Sequence, residues 1–155
     1  MHISAKSLED RLDRVRALED RLTFRLSILS RLLDQQASGL LEGTQLNLTG
    51  YRILDVVDTL GEVSISDISR FCMVDRAQIS RTSVALERLA LVRFLDDPDS
   101  KRKKLVQLTD DGLGKLAELR PRFIARNREL DELLGAERRA DLIESINLLT
   151  EHAAS

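Results

Sequence analysis

Apolar residues in the first third of the chain recur at alternating steps of four and three: Leu8, Leu12, Val15, Leu22, Leu26, Leu29 and Leu33. Glu19 fills the one position where the pattern lacks an apolar side chain. This heptad-like spacing predicts a single long helix over 7–36, opened by Ser7 with Asp10 three residues on. At a rise of 1.5 Å per residue it would be about 45 Å long, more than a small domain covers by itself, so a second chain is expected along it.

Further on the pattern changes quickly. Residues 39–47 read as a loop. A second helix is expected from an N-cap at Thr49 through Tyr51, Ile53, Leu54 and Val57 to a stop at Gly61. Val63 suggests a short strand. Ser66 with Asp67 opens a brief third helix over 68–71, and after a turn at Met73-Val74, Asp75 caps a fourth helix to about Ala90. Ile79, Val84, Leu86 and Leu89 are its expected packing residues. Two short helices joined by a tight turn make a helix-turn-helix. Strand candidates at 91–95 and 105–108 flank Asp96-Asp97-Pro98-Asp99-Ser100, which is turn chemistry, so a hairpin follows. Thr109 caps the next helix, which Pro121 should kink or interrupt and Gly135 should stop. A last helix over 137–152 carries Leu142, Ile146 and Leu149 on one face. The expected fold is mainly α: a winged helix-turn-helix with a small β-hairpin wing and long N- and C-terminal dimerisation helices. The expected organisation is 1–38 for N-terminal dimerisation, 48–112 for the winged helix-turn-helix and 113–155 for C-terminal dimerisation.

Composition narrows the function. The chain has 155 residues, 32% of them charged and 3% aromatic, with no Trp, which argues against a large aromatic-lined pocket within one protomer. A single cysteine, Cys72, allows no intrachain disulfide and fits a reducing compartment. No apolar run reaches the roughly 20 residues of a membrane span, and the N-terminus lacks a secretory signal, so a cytoplasmic protein is expected. The two histidines, His2 and His152, lie at the chain ends, and there is no Gly-rich phosphate loop or paired-Cys motif. No catalytic residues, metal ligands or cofactors are therefore assigned.

The net charge of −2 hides a local excess. Between residues 76 and 104 lie Arg76, Arg81, Arg88, Arg93, Lys101, Arg102, Lys103 and Lys104, opposed by only Glu87, Asp96, Asp97 and Asp99. Screening over about 8 Å lets such a strip attract phosphate despite acidic flanks. At the start of the fourth helix, Arg76, Gln78, Ser80, Arg81, Thr82 and Ser83 are residue types that read base edges or hold phosphates: Gln pairs with adenine, Arg with guanine, and hydroxyls suit phosphate oxygens. Four successive cations, Lys101, Arg102, Lys103 and Lys104, repel one another unless an anion compensates them. Double-stranded DNA is the expected partner.

These residues resemble the MarR (multiple antibiotic resistance regulator) family of winged-helix transcriptional regulators. The resemblance rests on Leu48-Thr49-Gly50-Tyr51-Arg52-Ile53-Leu54, Ile65-Ser66-Asp67-Ile68-Ser69, Asp75-Arg76-Ala77-Gln78-Ile79-Ser80-Arg81 and Leu89-Ala90-Leu91-Val92. Its most specific part is the wing, ending in Leu108, Thr109 and, three residues after the threonine, Gly112. It implies a homodimer on a pseudo-palindromic operator, with the fourth helix in the major groove and the wing in the minor groove, where Arg102 would sit. It also implies dimer contacts from 8–33 and 130–149, repression of a nearby promoter, and a small anionic or phenolic effector, for which Phe24, Arg25 and Tyr51 are the candidate contacts. Two positions depart from the family pattern: Ser100 replaces an aspartate that braces the wing arginine, with Asp99 beside it, and Ala90 replaces a glycine. Cys72, between Phe71 and Met73, reads as a packed small side chain rather than a redox sensor. The competing reading is a winged-helix dimer that acts as a protein-interaction module, against which the clustered cations argue.

Overall fold

The computed structural model describes residues 5–155, with side chains described from Ser7 onward except for Lys101 and Arg102. The chain divides into two compact units, Met1–Leu48 and Thr49–Ser155.

In the first unit the expected single helix is two, α1 (Ala5–Glu19) and α2 (Leu22–Gly39). The break falls where the apolar seam does. Arg21 is extended, and the chain turns through an N–H of Arg21 donated to the Leu18 carbonyl at 3.2 Å. Glu19 and Asp20 place two negative charges at the negative end of the α1 dipole, and Arg25 of α2 pairs with Asp20 at 3.5 Å. Because α1 starts at Ala5, Ser7 lies inside its first turn rather than at the cap. Leu8, Leu12 and Val15 on α1, and Leu22, Leu26 and Leu29 on α2, are exposed.

The second unit follows as α3 (Leu48–Leu60), β1 (Val63–Ser64), α4 (Ile65–Cys72), α5 (Arg76–Arg88), β2 (Val92–Asp97), β3 (Ser100–Leu108) and α6 (Asp110–Ala154). Its core draws Ile53, Leu54 and Val57 from α3, Ile68 from α4, Ile79 and Leu86 from α5, Val106 from β3, and Leu116 and Leu119 from α6. Val84, expected to pack, is instead exposed, and Leu89 is half-buried. The sheet is antiparallel in the order β1-β3-β2. On its outer face Arg93 donates to Gln107 at 2.5 Å and Gln107 donates to Glu62 at 2.9 Å, a side-chain ladder that starts beside β1 and crosses both long strands.

The helix caps differ in detail from the sequence expectation. Thr49 lies within the first turn of α3. Ser64, not Ser66, caps α4: its hydroxyl accepts from the Asp67 N–H at 3.2 Å and donates to the Asp67 carboxylate at 2.6 Å. Asp75 caps α5 as expected, accepting from the Gln78 N–H at 3.1 Å.

Both helices of the helix-turn-helix end in the same way. The N–H groups of Met73 and Val74 reach back to Arg70 and Ser69, and those of Ala90 and Leu91 reach back to Glu87 and Leu86. This pairing closes a helix through one left-handed residue, normally glycine. Here Met73 (φ 51°) and Ala90 (φ 58°) occupy those positions. A left-handed L-residue is strained by about 1 kcal/mol. Ala90→Gly is therefore expected to raise stability by about that amount, a Tm gain of roughly 2–4 °C. An unchanged or lower Tm in thermal unfolding would show that the strain is relieved locally.

Residues Thr109 and Gly112 join the wing to α6. Thr109 donates its N–H to the Leu91 carbonyl at 3.1 Å and its hydroxyl to the Ala90 carbonyl at 2.6 Å, and the same hydroxyl accepts the Gly112 N–H at 3.0 Å. The helix then continues through Pro121, and its non-helical dihedrals fall at Gly135 (φ 73°, ψ 165°). That geometry needs a glycine, and Arg139 spans the kink to Asp131 at 2.5 Å. Against α3, Arg120 holds Asp55 at 2.9 Å and Asp58 at 2.6 Å. Nearby, the Tyr51 and Phe123 rings stack with centroids 3.7 Å apart.

Candidate nucleic-acid interface

Helix α5 buries Ile79, Ser83 and Leu86. At 100° per residue, Arg81 then lies nearly opposite that stripe, at the centre of the exposed face, with Ala77 and Arg88 beside it. Arg76, Gln78, Ser80 and Arg81 are all exposed, while Thr82 is half-buried at the edge. Among the described residues, the side chains of Arg76 and Arg81 make no hydrogen bond or ion pair, whereas Gln78 donates to the Thr49 hydroxyl at 3.2 Å.

Ser83 departs from the expectation. It is completely buried, and its hydroxyl has no hydrogen-bond partner, so it cannot reach a duplex. It lies four residues after Ile79 and three before Leu86, which puts it on the packing stripe whatever its polarity. A buried hydroxyl without a partner destabilises. Ser83→Ala is accordingly expected to gain about 1 kcal/mol of stability and to leave DNA affinity unchanged. Weakened DNA binding in a well-folded variant would return Ser83 to the contact surface.

The hairpin turns at Pro98-Asp99, where the Asp97 carboxylate accepts the Asp99 N–H at 2.8 Å. The pairing then jumps from Asp97↔Ser100 to Asp96↔Lys104. Lys101, Arg102 and Lys103 therefore have no opposite number on β2 and bulge from the wing. The side chains of Lys101 and Arg102 lie outside the described residues. Lys103 is exposed and, among the described residues, unpaired. Lys104 is held by Asp96 on the neighbouring strand, so part of the cation run is compensated internally.

The start of α4, the side of α5 and the hairpin enclose one concave surface. Arg76, Ser80, Val84 and Glu87 of α5 face Phe94, Lys103 and Lys104 of the hairpin across it, with Ser64, Ile65 and Ser66 at its end. Four of the expected contacts, Arg76, Ser80, Lys103 and Lys104, thus share a single groove. Among the described residues that line it, Glu87 is the only carboxylate. Ser66, expected at the helix cap, is a lining residue that the sequence does not point to. Among the described residues, no group of three or more His, Cys, Asp or Glu side chains is placed to hold a metal. No described helix is long and apolar enough to cross a membrane.

In the first unit Phe24 and Arg25 line a shallow, mostly apolar surface with Leu26, Ile28, Leu29 and Leu32. Tyr51, in the second unit, is buried, and burial beside Asp55 pushes its hydroxyl above its ordinary pKa, with Arg120 opposing. Burial likewise raises the Cys72 thiol, against a smaller opposing effect of Arg52.

A helix-turn-helix whose second helix exposes cations and amide beside a basic hairpin defines the winged helix-turn-helix class. Residues 46–104 match the MarR family. Solved structures share the fold. The chain is similar to the PcaV transcriptional regulator of Streptomyces coelicolor in complex with its natural ligand, at 22% identity and TM-score 0.72 over 88% of this chain and 96% of that one. It is similar to Staphylococcus aureus MepR in a DNA complex, at 18% identity and TM-score 0.78 over 86% and 98%. A third is Bordetella bronchiseptica BpsR, whose DNA binding is regulated by 6-hydroxynicotinic acid, at 18% identity and TM-score 0.77 over 84% and 94%. No curated protein matches the sequence.

Proposed function

We propose that this protein is a sequence-specific transcriptional regulator that binds a pseudo-palindromic operator as a homodimer and represses a nearby promoter until a small effector releases it. The groove shared by Arg76, Ser80, Lys103 and Lys104 carries this reading. A duplex laid with α5 in its major groove and the hairpin in the adjacent minor groove puts one phosphate strand along that groove. Arg81 and Gln78 then face base edges, and the wing bulge carries Arg102 to the minor groove.

Residues 1–38 and 113–155 are proposed as the dimerisation segments on either side of the DNA-binding segment 48–112. Leu12, Val15, Leu26 and Leu29 in the first, and Leu142, Ile146 and Leu149 in the second, are large apolar side chains left exposed in the single chain. Contiguous apolar faces of this kind mark association surfaces, and a two-fold dimer matches a palindromic site. The proposed effector is a small anionic or phenolic compound with Phe24, Arg25 and Tyr51 as candidate contacts; regulation of BpsR by a small hydroxylated aromatic acid supports the class. It would act by binding better to a dimer whose recognition helices are wrongly spaced, lowering operator affinity by the factor by which DNA lowers its own.

Fluorescence anisotropy on the gene's own upstream intergenic DNA, against a scrambled duplex at two salt concentrations, tests the reading. Salt-sensitive binding with preference for the native duplex is expected. Equal binding to both duplexes, persisting with other genomic fragments and ligand-stripped protein, would favour a protein-interaction module instead.

A further inference from the structure

Gln78 is the one proposed base-contacting side chain of α5 that the protein itself already holds. Its backbone N–H is fixed by the Asp75 carboxylate at 3.1 Å, and its side-chain Nε2 donates to the Thr49 Oγ1 at 3.2 Å. Thr49 stands in the first turn of α3, 29 residues away in sequence, and is half-buried, whereas Gln78 is exposed. Arg76 and Arg81, its neighbours on the same helix, have no such restraint among the described residues.

A primary amide carries two N–H donors and one carbonyl oxygen. Thr49 uses one N–H. With Thr49 on the N–H trans to Oε1, the N–H cis to it and the Oε1 form the donor–acceptor edge that adenine requires in the major groove, where N7 accepts and the N6 amino group donates. Binding to Thr49 and binding to adenine are therefore compatible at the same moment. An unrestrained glutamine on a helix surface samples many rotamers and can turn its amide to suit other base edges; one tethered through Nε2 presents its edge in one sense. Ordering the side chain before DNA arrives also removes part of the entropy lost on binding.

We propose that Thr49 is a specificity-determining residue that acts through Gln78: its hydroxyl sets the amide in the orientation that selects an A·T pair at one position in each half-site. The proposal rests on the reading above that α5 lies in the major groove. Thr49 need not touch the base itself; it is a positioning residue, and its loss should show as relaxed choice rather than as weak binding.

The test selects duplexes from a randomised library on the wild-type protein, then locates with Gln78→Ala the base pair whose preference disappears. Discrimination at that pair, A·T against the other three, is measured for wild type, Thr49→Val and Thr49→Ser, alongside affinity for random duplex and thermal stability. Thr49→Val removes the hydroxyl at nearly constant shape. It is expected to reduce discrimination at that pair about three- to tenfold, with other positions and random-DNA affinity unchanged. Thr49→Ser should restore it, and Thr49→Val should add nothing in the Gln78→Ala background. Thr49→Ala serves in its place should valine disturb folding.

Wild-type discrimination in Thr49→Val, while Gln78→Ala loses it, would overturn the proposal and leave the DNA-binding reading intact. So would an equal loss on all sequences, which marks a merely structural staple between α3 and α5, or a Gln78→Ala variant with every preference retained. If the wild-type protein selects no sequence at all, the reading itself fails and the role of Thr49 falls with it.

Discussion

Gly112→Ala is expected to lower the stability of the protein by about 3 kcal/mol, a Tm loss of roughly 6–12 °C. An added Cβ would stand 2.0 Å from the Leu91 carbonyl oxygen and 3.0 Å from its carbon. Both are backbone atoms, so no side-chain rotation relieves the clash. The first turn of α6 would have to move away from the Ala90-Leu91 corner. That movement pulls on the Thr109 hydroxyl, which donates to Ala90 and accepts from Gly112, and on the Thr109 N–H bonded to Leu91. Since the same corner ends α5 and begins β2, the recognition helix and wing should lose their fixed relation together, and DNA affinity should fall with stability. Gly114→Ala is the control: its Cβ meets nothing within 4 Å, and alanine favours a helix by about 1 kcal/mol over glycine. Two alanine substitutions only two residues apart on the same helix should thus have opposite signs. A Tm for Gly112→Ala within a degree of wild type would contradict the close approach.

The second large effect is on recognition. Arg81→Ala is expected to cost about 1–3 kcal/mol on the preferred operator and to relax sequence choice at one base pair in each half-site. Arg81 faces almost directly away from the buried Ile79–Ser83–Leu86 stripe, and no described residue holds its guanidinium. A side chain in that position reaches deepest into a groove that receives α5. Affinity for random DNA should change far less. Titrating both duplexes by anisotropy separates the cases, and an equal loss on the two would make Arg81 a phosphate contact rather than a reader of bases.

Much of this site is legible in sequence because its elements are short and punctuated. Asp75, Thr109, Gly61 and Gly135 mark helix ends by well-defined local chemistry, and the structure places breaks or caps at all four. The concentration of cations between 76 and 104 needs no fold to be seen. The departure at Ala90, where the resemblance leads one to expect glycine, falls on a residue with φ 58°.

What sequence reading misses falls into two kinds. Some of the signal was present but outweighed. Ser83 is polar, yet its phase against Ile79 and Leu86 marks the core stripe. Ser64, three residues before Asp67, has the cap spacing that Ser66 lacks, and the Glu19-Asp20 pair at the gap in the seam foretells the helix break. The rest depends on contacts that no local pattern encodes. The bulge that carries Lys101, Arg102 and Lys103 out of register exists only against β2, the pairing of Lys104 with Asp96 exists only across the hairpin, and the bond from Gln78 to Thr49 exists only once α5 has packed near α3.

Two copies of this chain are proposed to present α5 and the wing to one duplex. Hydroxyl-radical footprinting on a genomic fragment retained by the protein tests it most directly. The account predicts two symmetry-related sets of protections, centred about 10–10.5 base pairs apart so that both recognition helices enter successive major grooves, with wing protections in the minor groove outside them. A single unpaired patch, or uniform protection along the fragment, would contradict it.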